Sequence, residues 1–290
     1  MFEFIYQLHD AFAQAGLPDP WQETLHLCDI LSGGSLRGID GRSLHTLTPQ
    51  TLSLDDIVAQ RQQGVPLEYI LGQTVFMGRP FTCTPATLIP RAETELLVKT
   101  VLNHAAGLAT DTLTIVDVGT GSGNIAVSLA LALPHSRVFA LDISPEAVAQ
   151  AQQHVTTYQL QDRVSVRCGD LFAPVSEDGL AEAVDIVVCN PPYIPSGSLS
   201  KMAEEIVAHE PIVALDAGPY GINIFRRLVS DALIYLRPGG LLAFEFGAGQ
   251  AVLVQRLVQK SGGYTPCQLV PDHTGTPRVL QTQKSISGSQ

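Results

Sequence analysis

The chain has 290 residues, 45% hydrophobic and 16% charged, a composition that supports a buried core and excludes a disordered polymer. Its 17 Lys and Arg face 28 Asp and Glu, giving a formal charge of −11 with no basic run. Nucleic-acid binding depends on neutralising phosphates, so this balance argues against direct DNA or RNA contact and suits a basic protein partner steered by the field.

Residues 1–70 read as short helices. Phe4, Ile5, Leu8, Ala11, Phe12 and Ala15 keep helical spacing up to Gly16 and Pro18. Asp19 before Pro20 is the pattern of an N-cap with proline at the first helical position, opening a second helix through Trp21, Leu25 and Cys28 to Gly33-Gly34. A third begins near Ser53, with Asp56 three residues on, and runs through Ile57 and Val58 to Gly64 and Pro66. Residues 33–48, polar and rich in Gly and Ser, read as a loop. Val75, Phe76, Phe81, Cys83 and Thr84, broken by Gly78-Arg79-Pro80, predict a hairpin between two domains.

From Leu113 onward strands and helices alternate. LTIVDV (113–118) is an apolar strand running into a Gly-rich turn, with a helix expected from about Ser122 to Leu133. RVFALD (137–142), VSVRC (164–168), VDIVVC (184–189) and LLAFEF (241–246) are further strands, and a helix from about Asn223 to Leu236 closes at Pro238-Gly239-Gly240. Such alternation implies a mostly parallel sheet covered on both faces. The apolar pieces 264–270 and 277–282 lie too close for a crossover helix and are expected to pair antiparallel.

Cys28, Cys83, Cys168, Cys189 and Cys267 are scattered and never spaced Cys-x-x-Cys, so they read as reduced thiols. The histidines show no ligand spacing, and no metal is expected. The first residues lack a basic stretch ahead of an apolar one, and no apolar run reaches the roughly 18 residues of a membrane span. The expectation is a soluble, cytoplasmic protein.

Two motifs carry the chemistry. Gly119-Thr120-Gly121-Ser122-Gly123 follows the first parallel strand, where glycine lets the backbone turn tightly and approach a ligand. Asp142 ends the second strand, placed to accept both hydroxyls of a ribose. The turn alone is also what any tight turn looks like. A nicotinamide dinucleotide would want Gly or Ala at position 124, where the chain has Asn124. Asn190-Pro191-Pro192-Tyr193 follows directly on VDIVVC, facing the same crevice. An amide or exocyclic amino nitrogen is a poor nucleophile because its lone pair is delocalised. The Asn190 side-chain oxygen and the Pro191 carbonyl can accept its two N–H groups. The prolines stiffen the turn without adding donors, and Tyr193 can lie against the planar acceptor.

Around these motifs the chain resembles the protein-(glutamine-N5) methyltransferases, the PrmC/HemK family that modifies the Gly-Gly-Gln glutamine of class I peptide release factors. The likeness runs through GVPLEYILGQTVFMG (64–78), LIPRAETELLV (88–98), VDVGTGSGNIAVSLA (116–130), ALDISPEAV (140–148), GDLF (169–172), VDIVVCNPPYIP (184–195) and EPIVALDAGPYG (210–221), and more loosely GTPRVL (275–280). It implies an α/β, Rossmann-like class I methyltransferase sheet of seven strands, the last antiparallel, with a small N-terminal helical domain and a linking β-hairpin. The corresponding boundaries are 1–72 for a helical substrate-recognition domain, 73–88 for the hairpin and 89–290 for the methyltransferase domain. It implies S-adenosylmethionine as cofactor, held by Gly119, Thr120, Gly121, Ser122, Gly123, Asp142, Leu171 and Asn190. The glutamine falls on Asn190, Pro191, Pro192 and Tyr193, with Arg91, Glu93 and Glu95 near the site or simply forming a charged helix start.

Departures from the family pattern are Ala92, His209, residues 33–48, Phe244-Glu245-Phe246-Gly247 and Pro271-Asp272-His273, and Leu171 stands where some members carry an aromatic. All are expected to lie away from the methyl-transfer core. Three other readings stay open: a relative acting on another protein or a small amide or amine, a DNA adenine methyltransferase, and a non-catalytic module on this fold. The DNA enzyme must hold phosphates and a flipped base, which the charge disfavours, and a binding module has no need of Asn190 and Asp142 together.

Overall fold

The computed structural model describes residues 2–32, 52–108, 112–202, 204–218 and 221–286, so residues 33–48 lie outside the described residues. The chain divides into two compact units, one comprising residues 1–90 with 202–211, the other 91–201 with 212–290.

The first unit holds α1 (Phe2–Gln14), α2 (Pro20–Ser32), α3 (Leu54–Gln62), α4 (Leu67–Leu71), the strands β1 (Gln73–Phe76) and β2 (Arg79–Thr82), and the short α8 (Glu204–His209). The i, i+4 set Phe4, Leu8 and Phe12 turns inward against Leu27, Leu31, Ile57 and Leu67, each such side chain contributing about 1.5–3 kcal/mol on full burial. The predicted caps are present. Asp19 accepts from the Gln22 N–H at 3.0 Å, and Ser53 and Asp56 exchange the two bonds of a capping box. Arg61 ties α2, α3 and α8 together, donating from Nη2 and Nε to Glu23 at 2.5 and 2.9 Å and from Nη1 to Glu205 at 2.8 Å. The hairpin turns at Met77-Gly78, both at positive φ, so Arg79 and Pro80 belong to β2 and do not interrupt it. Pro80 is tolerated because a two-stranded sheet is all edge.

The second unit is a seven-stranded sheet in the order β5-β4-β3-β6-β7-β9-β8, with β3 Thr114–Val118, β4 Arg137–Asp142, β5 Val164–Cys168, β6 Val184–Cys189, β7 Leu236–Glu245, β8 Gln268–Pro271 and β9 Pro277–Gln283. Pairing is parallel from β5 through β7, and β9 runs antiparallel to both its neighbours. β6 is buried at every residue, as a central parallel strand must be. The expected fold class is observed. Helices α5 (Ala92–Ala105), α6 (Asn124–Ala132), α7 (Pro145–Thr157), α9 (Asn223–Tyr235) and α10 (Ala251–Ser261) complete the unit.

Three details differ from expectation. α6 starts at Asn124, because Gly121 and Gly123 hold left-handed φ of 55° and 79° that no helix accepts. Pro238-Gly239-Gly240 lies inside β7 as a bulge, between the pairs Val184–Leu236 and Ile186–Leu241, stitched to β9 by Gly239 N–H to Lys284 O and Lys284 N–H to Gly240 O, each 2.9 Å. α10 was not anticipated; of its residues only Val254 and Val258 are buried, one helical turn apart, a faint periodic signal. Among the described residues, no helix is long and apolar enough to cross a membrane.

Candidate active site

The chain winds β3→β4→β5 outward in one direction and restarts with β6 on the other side of β3. That reversal opens a crevice at the carboxyl ends of β3 and β6. Val118 pairs with Leu141 on one side and Cys189 on the other, so the Gly-rich turn, Asp142 and the Asn190 loop leave the same edge side by side.

The turn is built from bonds whose partners lie at most 32 residues apart in the chain. Asp117, fully buried, accepts through Oδ2 from Thr120 Oγ1 at 2.6 Å and the Ala126 N–H at 3.1 Å, while its Oδ1 has no hydrogen-bond partner among the described residues. Loss of solvent pushes this carboxyl up to about 7 against the bonds from Thr120 and Ala126 that oppose the shift. The Thr120 N–H donates to the Leu141 carbonyl at 2.9 Å. Gly123 lies against α7, where a Cβ would come 3.1 Å from Ala151 Cβ. Asp142 accepts from the Gly121 N–H at 2.8 Å through one oxygen and the Ser144 N–H at 2.9 Å through the other; burial raises its carboxyl, offset by these bonds. Buried His154 donates from Nδ1 to the Ser122 carbonyl at 2.7 Å, which fixes its tautomer. Thr120 and Ser122 are buried, and the Ser122 hydroxyl donates to Asn124 Oδ1 at 3.3 Å. The Gly169 N–H donates to the Asp142 carbonyl at 2.8 Å. Leu171, two residues on at φ 47°, packs into the sheet's apolar cluster.

The Asn190 loop is built from long-range bonds. Asn190 Nδ2 donates to Thr94 Oγ1 at 3.1 Å, and Thr94 Oγ1 donates to Glu245 Oε2 at 2.8 Å. The other Glu245 oxygen accepts from the Tyr193 hydroxyl at 3.3 Å. Gln250 donates to the Tyr193 carbonyl and accepts from the Gly247 N–H, both at 2.9 Å. Gly247 packs closely under the ring, since a Cβ there would lie 3.0 Å from Tyr193 Cδ2. On the far side Ile194 bridges Asp216, and the Ser196 hydroxyl and Gly218 N–H both donate to Asp216 Oδ1, at 2.7 and 2.8 Å. The two halves adjoin: the nearest atom to a Cβ at Gly119 would be the Asn190 carbonyl oxygen, at 4.0 Å.

Residues 92–219 match the family model described as "Methyltransferase small domain". A release factor glutamine methyltransferase of Moorella thermoacetica is 43% identical over 223 residues, spanning 77% of this chain and 76% of the relative. Another from Geobacter sulfurreducens is 36% identical over 269 residues, 92% of this chain and 91% of the relative. The chain belongs to the release factor glutamine methyltransferase family. Among solved structures, the hMettl16 catalytic domain in complex with MAT2A 3′UTR hairpin 6 covers 88% of this chain and 95% of its own, at a TM-score of 0.56 and 16% identity, a likeness of fold.

In this methyltransferase the acidic stretch at the start of α5 divides in use. Glu95 takes Lys99 as an i, i+4 partner at 2.8 Å, and Glu93 is exposed. Arg91 occupies the N-cap position; burial, with the Glu245 charge, holds the Tyr193 hydroxyl well above its usual range, and the charges of Arg278 and Arg91 only partly oppose that rise. The residue that touches the Asn-Pro-Pro-Tyr loop is their neighbour Thr94, which the sequence reading passed over. The expectation that Phe244-Glu245-Phe246-Gly247 stands clear of the core is overturned: Glu245 and Gly247 both contact the loop. An ionisable residue beside four apolar strand positions in LLAFEF was the available signal.

Proposed function

We propose that this methyltransferase moves a methyl group from S-adenosylmethionine to the side-chain amide nitrogen of glutamine, that of the Gly-Gly-Gln segment in a class I peptide release factor, in the cytoplasm. The observation that carries the reading is the orientation of Asn190. Its NH2 group is committed to Thr94, so Oδ1 is left to accept from an incoming N–H.

The residues around the Gly-rich turn fit the cofactor. A carboxylate has about four acceptor positions; Asp142 accepts from Gly121 on one oxygen and Ser144 on the other, with the Ile143 N–H also acting on it, and keeps acceptor capacity for a ribose hydroxyl. Nothing lies within 4 Å of a Cβ built at Gly121, so a ligand can rest on bare backbone there. Gly119, Thr120, Ser122 and Gly123 complete that cradle, with Leu171 toward the adenine. Bound S-adenosylmethionine supplies an electron-poor methyl on a sulfonium.

The protein's part is to make a weak nucleophile competent. Asn190 Oδ1 and the Pro191 carbonyl accept the two amide N–H groups, fixing the nitrogen and complementing the positive charge that grows on it. Pro191 and Pro192 hold the loop without competing donors. Tyr193 lies along the planar amide, with Arg91 and Glu93 contacting the substrate at the rim. The helical unit grips the protein away from the reacting group. The charge of −11 favours a basic partner, so association slows as salt rises. The test is methyl transfer to an intact class I release factor, to its Gln→Ala variant and to free small amides, read by mass spectrometry. One methyl group on the first alone is expected. Efficient transfer to small amides with none to the release factor breaks the substrate assignment.

A further inference from the structure

The long-range bonds under the Asn190 loop have a direction. A carboxylate only accepts, so the single Thr94 hydroxyl proton is drawn to Glu245 Oε2, at 2.8 Å. Thr94 Oγ1 is then left with lone pairs, and the Asn190 amide must turn its NH2 toward it, at 3.1 Å. The orientation of an amide is set by such a network. Reversal of the Asn190 amide would aim an NH2 group at the N–H groups of the acceptor, donor against donor. The same carboxylate takes the Tyr193 hydroxyl at 3.3 Å, so one group anchored on a strand orients both ends of the Asn-Pro-Pro-Tyr loop.

We propose that Glu245 is a positioning residue for methyl transfer: acting through Thr94, it sets which face of the Asn190 amide meets the acceptor, and it holds the Tyr193 ring by its hydroxyl. The proposal rests on the functional reading above for the identity of the acceptor, not for the direction of the network. Thr94 and Glu245 are each at most 3% exposed, so no water competes for these bonds and the chain behaves as one unit. Glu245 closes β7, paired with Val279 of β9, and a strand residue is a firmer reference than a loop residue.

The variants are isosteric. Glu245→Gln replaces an obligate acceptor with a group that also donates, freeing the Thr94 proton to point at Asn190. Thr94→Val removes the relay and Thr94→Ser restores it. Either loss should lower kcat by about 10- to 100-fold, less than the ~10²–10³ for deleting a transition-state partner outright, with cofactor affinity within a few fold by calorimetry. If Glu245 acts through Thr94, the double variant falls no further than the worse single. The Asn190 side-chain amide resonances, followed by NMR in the enzyme without acceptor, should shift in Glu245→Gln and Thr94→Val and return in Thr94→Ser. Effects that multiply in the double variant overturn the proposal, as does an Asn190 amide signal indifferent to Glu245→Gln. Failure of the wild-type enzyme to methylate a release factor breaks the functional reading instead, and the amide signal still decides the role of Glu245.

Discussion

The two halves of the site share one sheet edge and are held in opposite ways. Around the Gly-rich turn the bonded partners all lie between Asp117 and His154, 2 to 32 residues apart: Asp117 to Thr120 and Ala126, Asp142 to Gly121 and Ser144, His154 to Ser122. Around the Asn190 loop Asp216 is 20 residues from its partner, but Thr94, Glu245 and Gln250 come from 52 to 96 residues away. A turn held locally can be carried from one chain to another as a motif. A loop held from a distance takes its shape from the whole sheet, so its chemistry answers to residues that a motif search does not visit.

The contrast can be broken at its ends. Asn190→Ala should cut turnover by about 10²–10³ while cofactor affinity stays within a few fold; a parallel fall in both would make Asn190 a folding or cofactor residue and erase the division. Asp142→Ala should do the reverse, weakening cofactor binding by on the order of 1.5–3 kcal/mol, the scale for hydrogen bonds to a charged group; unchanged affinity by calorimetry would place the ribose elsewhere. Gly123→Ala asks whether the turn is self-contained. Its left-handed φ of 79° and the 3.1 Å approach to Ala151 predict a loss of about 1–2 kcal/mol in chemical denaturation. Pairing it with Ala151→Gly should recover the contact part and leave the φ part.

The last effect is a slope. The Asp117 carboxyl rises from 3.8 to about 7 on folding, so between those values the folded state keeps a proton that the unfolded chain releases. Its contribution to stability is therefore greatest in acid, declines with rising pH by at most about 1.4 kcal/mol per unit, and levels off above the folded value. Unfolding midpoints measured from about pH 5 to pH 8 should show this decline in the wild type and lose it in Asp117→Asn. An unchanged slope in the variant would mean that Asp117 is ionised in the fold.

Legibility in the sequence follows the same division. Apolar runs such as VDIVVC announce buried strands, and glycines at Gly119, Gly121 and Gly123 announce a turn whose φ values other residues avoid, because both signals are local. Ser53 and Asp56 betray their cap for the same reason. Thr94 could not be told from its charged neighbours by spacing, since Arg91, Glu93 and Glu95 make the more conspicuous pattern and only the folded sheet brings Thr94 beneath Asn190. Glu245 was visible as an acid in an apolar strand, but its partners are 151 and 52 residues away. α10 was missed because most of its apolar residues stay partly exposed, which blurs the helical period.

The bulge in β7 works as an expansion joint. α9 delivers the chain at Leu236 opposite Val184, while the site requires a carboxylate at the far end of the strand, opposite Val279. In a strand without slack, lengthening α9 by a single residue would slide the register and flip alternate side chains, bringing Phe244 or Phe246 to the level of Tyr193 in place of Glu245. Pro238-Gly239-Gly240 absorbs such a change between Leu236 and Leu241, ahead of the pairs that run from Ile186 to Cys189. A change in the length of the helix can thereby be taken up without disturbing the acid on which the Asn190 amide takes its bearing.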